Sequence, residues 1–218
     1  MMNEDMNASR FTIHQSPVSM RTAVVLAVLV AAAATGCGES TRVTRVDTGV
    51  VTDFSGRWND TDSRLVAESM VKEALDNPWL GKYRSAKGRQ PVVVVGAILN
   101  RSSEHINVQT FVSDLARELT NSQKVTFVAG KPEREELREE RRAQAEQARE
   151  DTQKSPGKEI GADFMLKGNI STIVDESEGV RATFYQVDLE MIDLENNVKS
   201  WFGQKKIKKV VERKRTVF

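Results

Sequence analysis

Pro91-Val92-Val93-Val94-Val95-Gly96-Ala97-Ile98-Leu99 is an unbroken apolar run with four successive valines. β-Branched side chains are stiff at χ1 and fit a pleated strand. Apolar residues on both alternating sets predict a strand covered on both faces. The residues that follow decide the fold class. Val108, Phe111, Val112, Leu115, Ala116 and Leu119 fall at i, i+3, i+4, i+7, i+8 and i+11, a helical stripe that Asn107 can cap. Val125-Thr126-Phe127-Val128 reads as a second strand, closed by Gly130. Two strands joined by a helix of that length make a parallel crossover.

Upstream, Asp60 or Thr61 can cap a helix reaching about Asn77, with Leu65, Val66, Ser69, Met70 and Leu75 on one face and Pro78 beyond its end. Trp79, Leu80 and Tyr83 are expected to pin the next connection to the core. Gly81, Gly88 and Pro91 mark that connection as a loop. Downstream, Pro132 suits the first turn of a helix reaching about Gln153. Of the 24 residues 131–154, 15 are charged and Leu137 is the only large apolar one, so this helix buries little and projects. After Ser155-Pro156-Gly157, a helical turn near residues 158–161 leads into a strand over 164–174. Residues 180–192 form another strand, with Tyr185, Val187, Leu189 and Met191 on one face. Residues 198–206 return after Glu195-Asn196-Asn197, placing Trp201 and Ile207 on one face and Phe202 on the other. The last three strands are sequence neighbours and should pair antiparallel. The expected fold is α/β (α+β): a single domain in the order α-β-α-β-α-β-β-β, with helices packed on a mixed sheet of about four to five strands.

The chain opens differently. Residues 1–19 are polar and patternless, and Met20-Arg21 precedes an apolar run over residues 23–34. A spanning helix needs about 20 apolar residues, whereas a signal-peptide core needs roughly 7–15 behind a positive flank. Ala34-Thr35-Gly36 then precedes Cys37, the only cysteine of the chain. Small residues before a cleavage point fit a narrow peptidase site, and the thiol after it can accept diacylglycerol. Residues 1–36 are therefore expected to be a bacterial lipoprotein signal peptide. Met20 looks like the true start, and residues 1–19 an over-called extension. Residues 37–60 read as a lipidated amino terminus and tether, and 61–218 as the globular domain with a basic tail. Fully extended, the 23 residues 38–60 reach at most about 80 Å. The stretch resembles a bacterial lipoprotein lipobox, and that resemblance implies the outer membrane, because Gly38 stands where an Asp retains such proteins in the inner one.

Composition excludes much chemistry. One Cys allows no internal disulfide or thiolate metal site, and only His105 of the two His lies past the first 40 residues. A net charge of +1 argues against a general nucleic-acid binder. No phosphate-binding glycine loop, nucleophile elbow or zinc-protease motif is present. Ser103 and His105 are two apart on a loop with no carboxylate to orient the ring, so a surface histidine is expected rather than a base. Asp188 and Glu190, sharing a face near Asp193, read as the wet side of a strand. Lys205-Lys206-Ile207-Lys208-Lys209 and Arg213-Lys214-Arg215 give seven bases against Glu212. This is read as a solvated strand whose lysines blunt a sheet edge, or as a contact for anionic lipid or an acidic partner.

A larger pattern follows Cys37. It comprises Ser55-Gly56-Arg57-Trp58-Asn59-Asp60-Thr61-Asp62-Ser63, the valine strand running into Asn100-Arg101-Ser102-Ser103-Glu104-His105-Ile106-Asn107, and Ile160-Gly161-Ala162-Asp163-Phe164-Met165-Leu166-Lys167-Gly168. Phe184-Tyr185-Gln186-Val187-Asp188-Leu189 and Trp201 with Lys205-Lys206-Ile207-Lys208-Lys209 complete it. In order and spacing these strings resemble the LpoB-type lipoprotein activators of penicillin-binding proteins, over about residues 37–210. The resemblance implies an outer-membrane lipoprotein facing the periplasm, with a domain similar to the amino-terminal domain of TolB. It implies docking onto a class A bifunctional penicillin-binding protein, whose glycan polymerisation and peptide crosslinking it stimulates. No catalysis, cofactor, metal, small-molecule substrate or nucleic acid is implied. The tether is short beside the long Pro/Gln-rich one of the best-known members. Such an activator needs only to bind the active conformation better than the inactive one. Arg101, Ser102, Ser103, Glu104 and His105, a polar loop beside a rigid strand, are the expected contact surface. Arg57 and Trp58 come second, Arg and Trp being common interface anchors, although a Trp there can instead plug the base of the domain. A structural component of a curli-type secretion apparatus is the alternative. It would need membrane hairpins of about 9–11 alternating residues per strand, and no spare pair of that kind is present.

Overall fold

The computed structural model describes residues 42–212; the expected signal peptide over residues 1–36, Cys37 and the tail from Arg213 lie outside the described residues. The compact unit begins at Asp47. Asn59, rather than Asp60 or Thr61, caps helix α1 (Asp60–Asp76). Its side chain accepts from the Asp62 N–H and Asp62 accepts from the Asn59 N–H, each at 3.0 Å. The expected loop after α1 is instead helix α2 (Pro78–Lys87). Asn77 caps it and Pro78 occupies its first turn, where a missing N–H costs nothing. Gly88, at φ 65°, ends it in the left-handed conformation. Trp79 and Leu80 hold α2 to the body as expected.

Strand β1 (Val92–Arg101) leads to α3 (Val108–Ser122), whose Phe111, Leu115 and Leu119 are fully buried. The second strand is shorter than expected: β2 is Thr126–Phe127 alone. Helix α4 (Lys131–Gln147) buries no residue, as its composition requires, and stops before Gln153. There is no helical turn at 158–161; a turn at Pro156-Gly157 and extended chain fill that place. The three remaining strands, β3 (Phe164–Ser177), β4 (Val180–Asp193) and β5 (Lys199–Glu212), are longer than their apolar alternation suggested.

The five strands form one mixed sheet in the order β2-β1-β3-β4-β5. β1 runs parallel to β2 and β3, while β3, β4 and β5 form an antiparallel meander. Helices α1 and α3 pack on one face. The rows facing them are legible in the register: Leu166, Met191 and Trp201; Ile170, Val187 and Lys205; Thr172, Tyr185 and Ile207. β1 was expected to be covered on both faces. Cover extends only over Val92, Val93 and Val94; Ala97 and Leu99 are exposed. A bulge between Val95 and Ile98 inserts one residue in β1, so Val93, Val95 and Ile98 all reach the core.

Candidate functional site

The loop that follows β1 is braced by its own polar groups. Asn100 Oδ1 accepts from the Ser102 N–H at 2.9 Å and from Ser102 Oγ at 2.6 Å, while Asn100 Nδ2 donates to the Glu104 carbonyl at 2.8 Å. The Ser103 N–H donates to Thr172 Oγ1 of β3 at 3.1 Å. Asn107 caps α3 as expected, accepting from the Gln109 N–H. The loop is thus fixed between two strands and a helix, in the manner of a site carried by a rigid scaffold.

Glu104 turns inward. Both its carboxylate oxygens lie 2.8 Å from the Tyr185 hydroxyl, which donates to them, and Oε2 accepts from the Trp58 N–H at 3.3 Å. Burial, then the neighbouring Glu104 carboxylate, push the Tyr185 phenol well above the ordinary tyrosine range. The Trp58 ring meets Phe111 edge-on at 6.2 Å and Tyr185 at 5.7 Å. Glu104 therefore draws together the two stretches that the sequence marked separately, the 101–105 loop and Arg57-Trp58. Trp58, Ser102 and Glu104 are half-buried, whereas Arg57, Arg101, Ser103 and His105 are exposed.

Beside this cluster lies a group the sequence reading did not mark. Lys209 was taken with the solvated lysines of the last strand, but it occupies an inward position of β5 and is buried. Its ammonium donates to Asp53 at 2.5 Å, Asp62 at 2.6 Å and the Arg57 carbonyl at 3.1 Å. Burial alone would lower its pKa; the Asp53 and Asp62 carboxylates outweigh that and hold it above the ordinary lysine value. The Lys209 hydrogen bond keeps Asp53 below the ordinary carboxylate range. Asn59 adds a second donor to Asp53 at 2.6 Å. The segment before α1, read from sequence as tether up to residue 60, is fastened to the body from Asp53 onward. The available signal was the alternation of β5, which puts Lys209 on the same side as Trp201 and Ile207.

Asp188 and Glu190 stand on the other face of the sheet. Gln186 and Gln204 donate to Asp188, and Lys167 and Lys199 lie 3.5 and 2.5 Å from Glu190. Asp193 accepts from the Glu195 N–H and Asn196 in the β4–β5 turn. Among the described residues no group of three or more His, Cys, Asp or Glu is placed to hold a metal ion.

Fold and site together define a small mixed α/β domain that presents a braced polar loop at the end of a central strand. The chain belongs to the family described as peptidoglycan-synthase activator LpoB, whose model matches residues 62–207 and so includes the 101–105 loop. The family is one of activators rather than enzymes. A comparison with curated protein sequences found no match. Among solved structures the chain is similar to the LpoB C-terminal domain from Salmonella enterica, with 18% identity and a TM-score of 0.32, over 62% of this chain and 94% of that one. It is also similar to lipoprotein GNA1162 from Neisseria meningitidis, with 14% identity and a TM-score of 0.37, over 58% and 88%. The NMR structure of LpoB from E. coli is similar at 14% identity with a TM-score of 0.34, over 96% of this chain and 91% of that one.

Proposed function

We propose that this protein is an outer-membrane lipoprotein, acylated at Cys37 and facing the periplasm, that binds a class A bifunctional penicillin-binding protein and stimulates it. The observation that carries the reading is the family match over residues 62–207. The braced loop supports it, because a surface that is already ordered loses little entropy when a partner docks. The protein supplies no acid or base. Contact that is tighter to the active synthase shifts its conformational population, and about 1.4 kcal/mol of differential binding is a tenfold shift. Anchoring raises the local concentration of the domain, so a weak interface suffices. Arg101 and His105, both exposed, are the contact residues of the loop, and Arg57 lies on the adjoining segment. Glu104 and Trp58 set the loop's position from within.

The test combines purified synthase with the full chain in a glycan-polymerisation assay. Stimulation is expected, and Arg101→Glu with His105→Ala is expected to weaken it while leaving the melting temperature nearly unchanged. Unaltered stimulation by that variant moves the contact elsewhere; no stimulation by the wild type removes the activator reading. Cys37→Ser is expected to shift the protein from membranes to the soluble periplasm. Continued membrane fractionation would exclude the acyl anchor.

A further inference from the structure

The sheet face turned away from α1 and α3 divides into two halves of different chemistry. Near the start of β3 its charges answer one another: Glu190 lies between Lys167 and Lys199, and Asp188 is held by Gln186 and Gln204. Toward the other end they do not. Register sets Arg101, Ser171, Gln186 and Lys206 in one row across β1, β3, β4 and β5. Ile173, Phe184 and Lys208 form the next, and Asp175, Ala182 and Val210 the one after. Ile173 is 67% exposed and Val210 55%. Arg101, Lys206 and Lys208 are exposed and form no ion pair among the described residues. The Lys206 ammonium stands 6.0 Å from the Phe184 ring centroid.

Exposed apolar side chains ringed by cations that pair with no described residue, carried on hydrogen-bonded strands, are the composition of a contact surface. This patch is continuous with the candidate loop, because Arg101 belongs to both. We infer that the half-face built from Arg101, Ile173, Phe184, Lys206, Lys208 and Val210 receives a protein surface with an apolar centre ringed by carboxylates. This rests on the reading above, in which that protein is the peptidoglycan synthase. A protein rather than an anionic bilayer is the occupant, because Asp175 and Glu212 lie on the same half-face. Lipid phosphates would repel them, whereas a protein can set a base opposite each.

Binding of the full chain to purified class A synthase, and stimulation of it, test the inference. Lys206→Glu with Lys208→Glu is expected to weaken binding at least tenfold and to flatten its salt dependence. Ile173→Asp is expected to weaken it comparably. Lys72→Glu, an equal charge change per residue on the exposed side of α1, should stay within twofold of wild type. Thermal melts check folding; if Ile173→Asp is unfolded, the lysine pair decides. Wild-type binding with unchanged affinity in the patch variants overturns the surface and leaves the synthase reading standing. Wild type that neither binds nor stimulates overturns both. If phosphatidylglycerol vesicles sediment the wild type but not the lysine variant, while synthase binding is unchanged, the face is a lipid contact and the inference fails.

Discussion

The Tyr185 hydroxyl donates to the Glu104 carboxylate at 2.8 Å, joining the middle of β4 to a loop 81 positions earlier in the chain. The same carboxylate holds the Trp58 N–H. Polarity at position 104 therefore holds the loop in position. Removing one partner costs the other its 2.8 Å hydrogen bond and leaves only a longer one, to the Trp58 N–H or the Gly56 carbonyl, at a cost of about 1–3 kcal/mol. Tyr185→Phe and Glu104→Ala should each lower stability by that order in chemical denaturation. The double variant should lose less than the sum, because the two act on one interaction. Strict additivity would mean that the pair is not coupled. A fall in synthase stimulation with Glu104→Ala should track the loss of loop order, whereas Arg101→Glu should lose stimulation without losing stability.

Lys209 is the one buried Lys or Arg among the described residues, and two carboxylates hold it. Its removal strands Asp53 and Asp62 against each other, so Lys209→Met should cost about 3–5 kcal/mol. Adding Asp53→Asn and Asp62→Asn should restore a large part of that. The pH dependence has a definite sign. Asp53 is depressed below its ordinary 3.8, so its share of stability is complete above that pH and is lost as pH falls through the folded value. Lys209 is raised above 10.5, so its share is complete below that pH and is lost as pH rises through its folded value. Denaturation midpoints measured at both extremes should converge for wild type and the triple variant; a constant difference would rule out this origin.

Much of this architecture could be read from residue order, and the exceptions have physical causes. The valine run, the α3 stripe and the alternation of β4 and β5 report burial directly, because each repeats with the period of its element. Helix α2 was missed because Pro78, Gly81 and Gly88 read as breakers, yet each is tolerated. Pro78 stands at the first turn, Gly81 has nothing within 4 Å of its missing Cβ, and Gly88 lies beyond the last turn. Docking of Trp79 and Leu80 offsets the weak helix propensity of Gly81. The roles of Glu104 and Lys209 were hidden for another reason: their partners lie 46 to 156 positions away. No local pattern encodes a pairing of that range. The exposure of Arg101, Ser103 and His105 was legible, because a polar loop beside an apolar strand has nowhere else to go.

Two glycines make opposite predictions. A Cβ at Gly168 would press into the Asp188 carbonyl oxygen and the Leu189 side chain, and the obstacle is in part backbone. Gly168→Ala should therefore cost about 1–3 kcal/mol, toward the upper end, by forcing β3 from β4. Gly81→Ala meets open space inside a helix and should stabilise by about 0.4–1 kcal/mol through the unfolded chain. Melting temperatures that move together would refute the steric assignment.

Helix α4 is held to the chain before β3 through Glu159. Arg138 grips that carboxylate with two nitrogens at 2.9 and 2.8 Å, and Arg141 adds a third contact at 2.7 Å. The Arg138 hydrogen bonds, opposed by modest desolvation and reinforced by Arg141, hold the Glu159 carboxyl down at about 2, against 4.5 ordinarily. The grip is therefore complete above pH 4.5 and is released as the pH falls through about 2. The side-chain carboxyl resonance of Glu159 should titrate with a midpoint near that lower value. Arg138→Ala with Arg141→Ala should return it to the ordinary range and raise amide exchange along α4, because no buried side chain otherwise fixes the helix. An ordinary midpoint in the wild type would show that the helix swings free of Glu159 in solution.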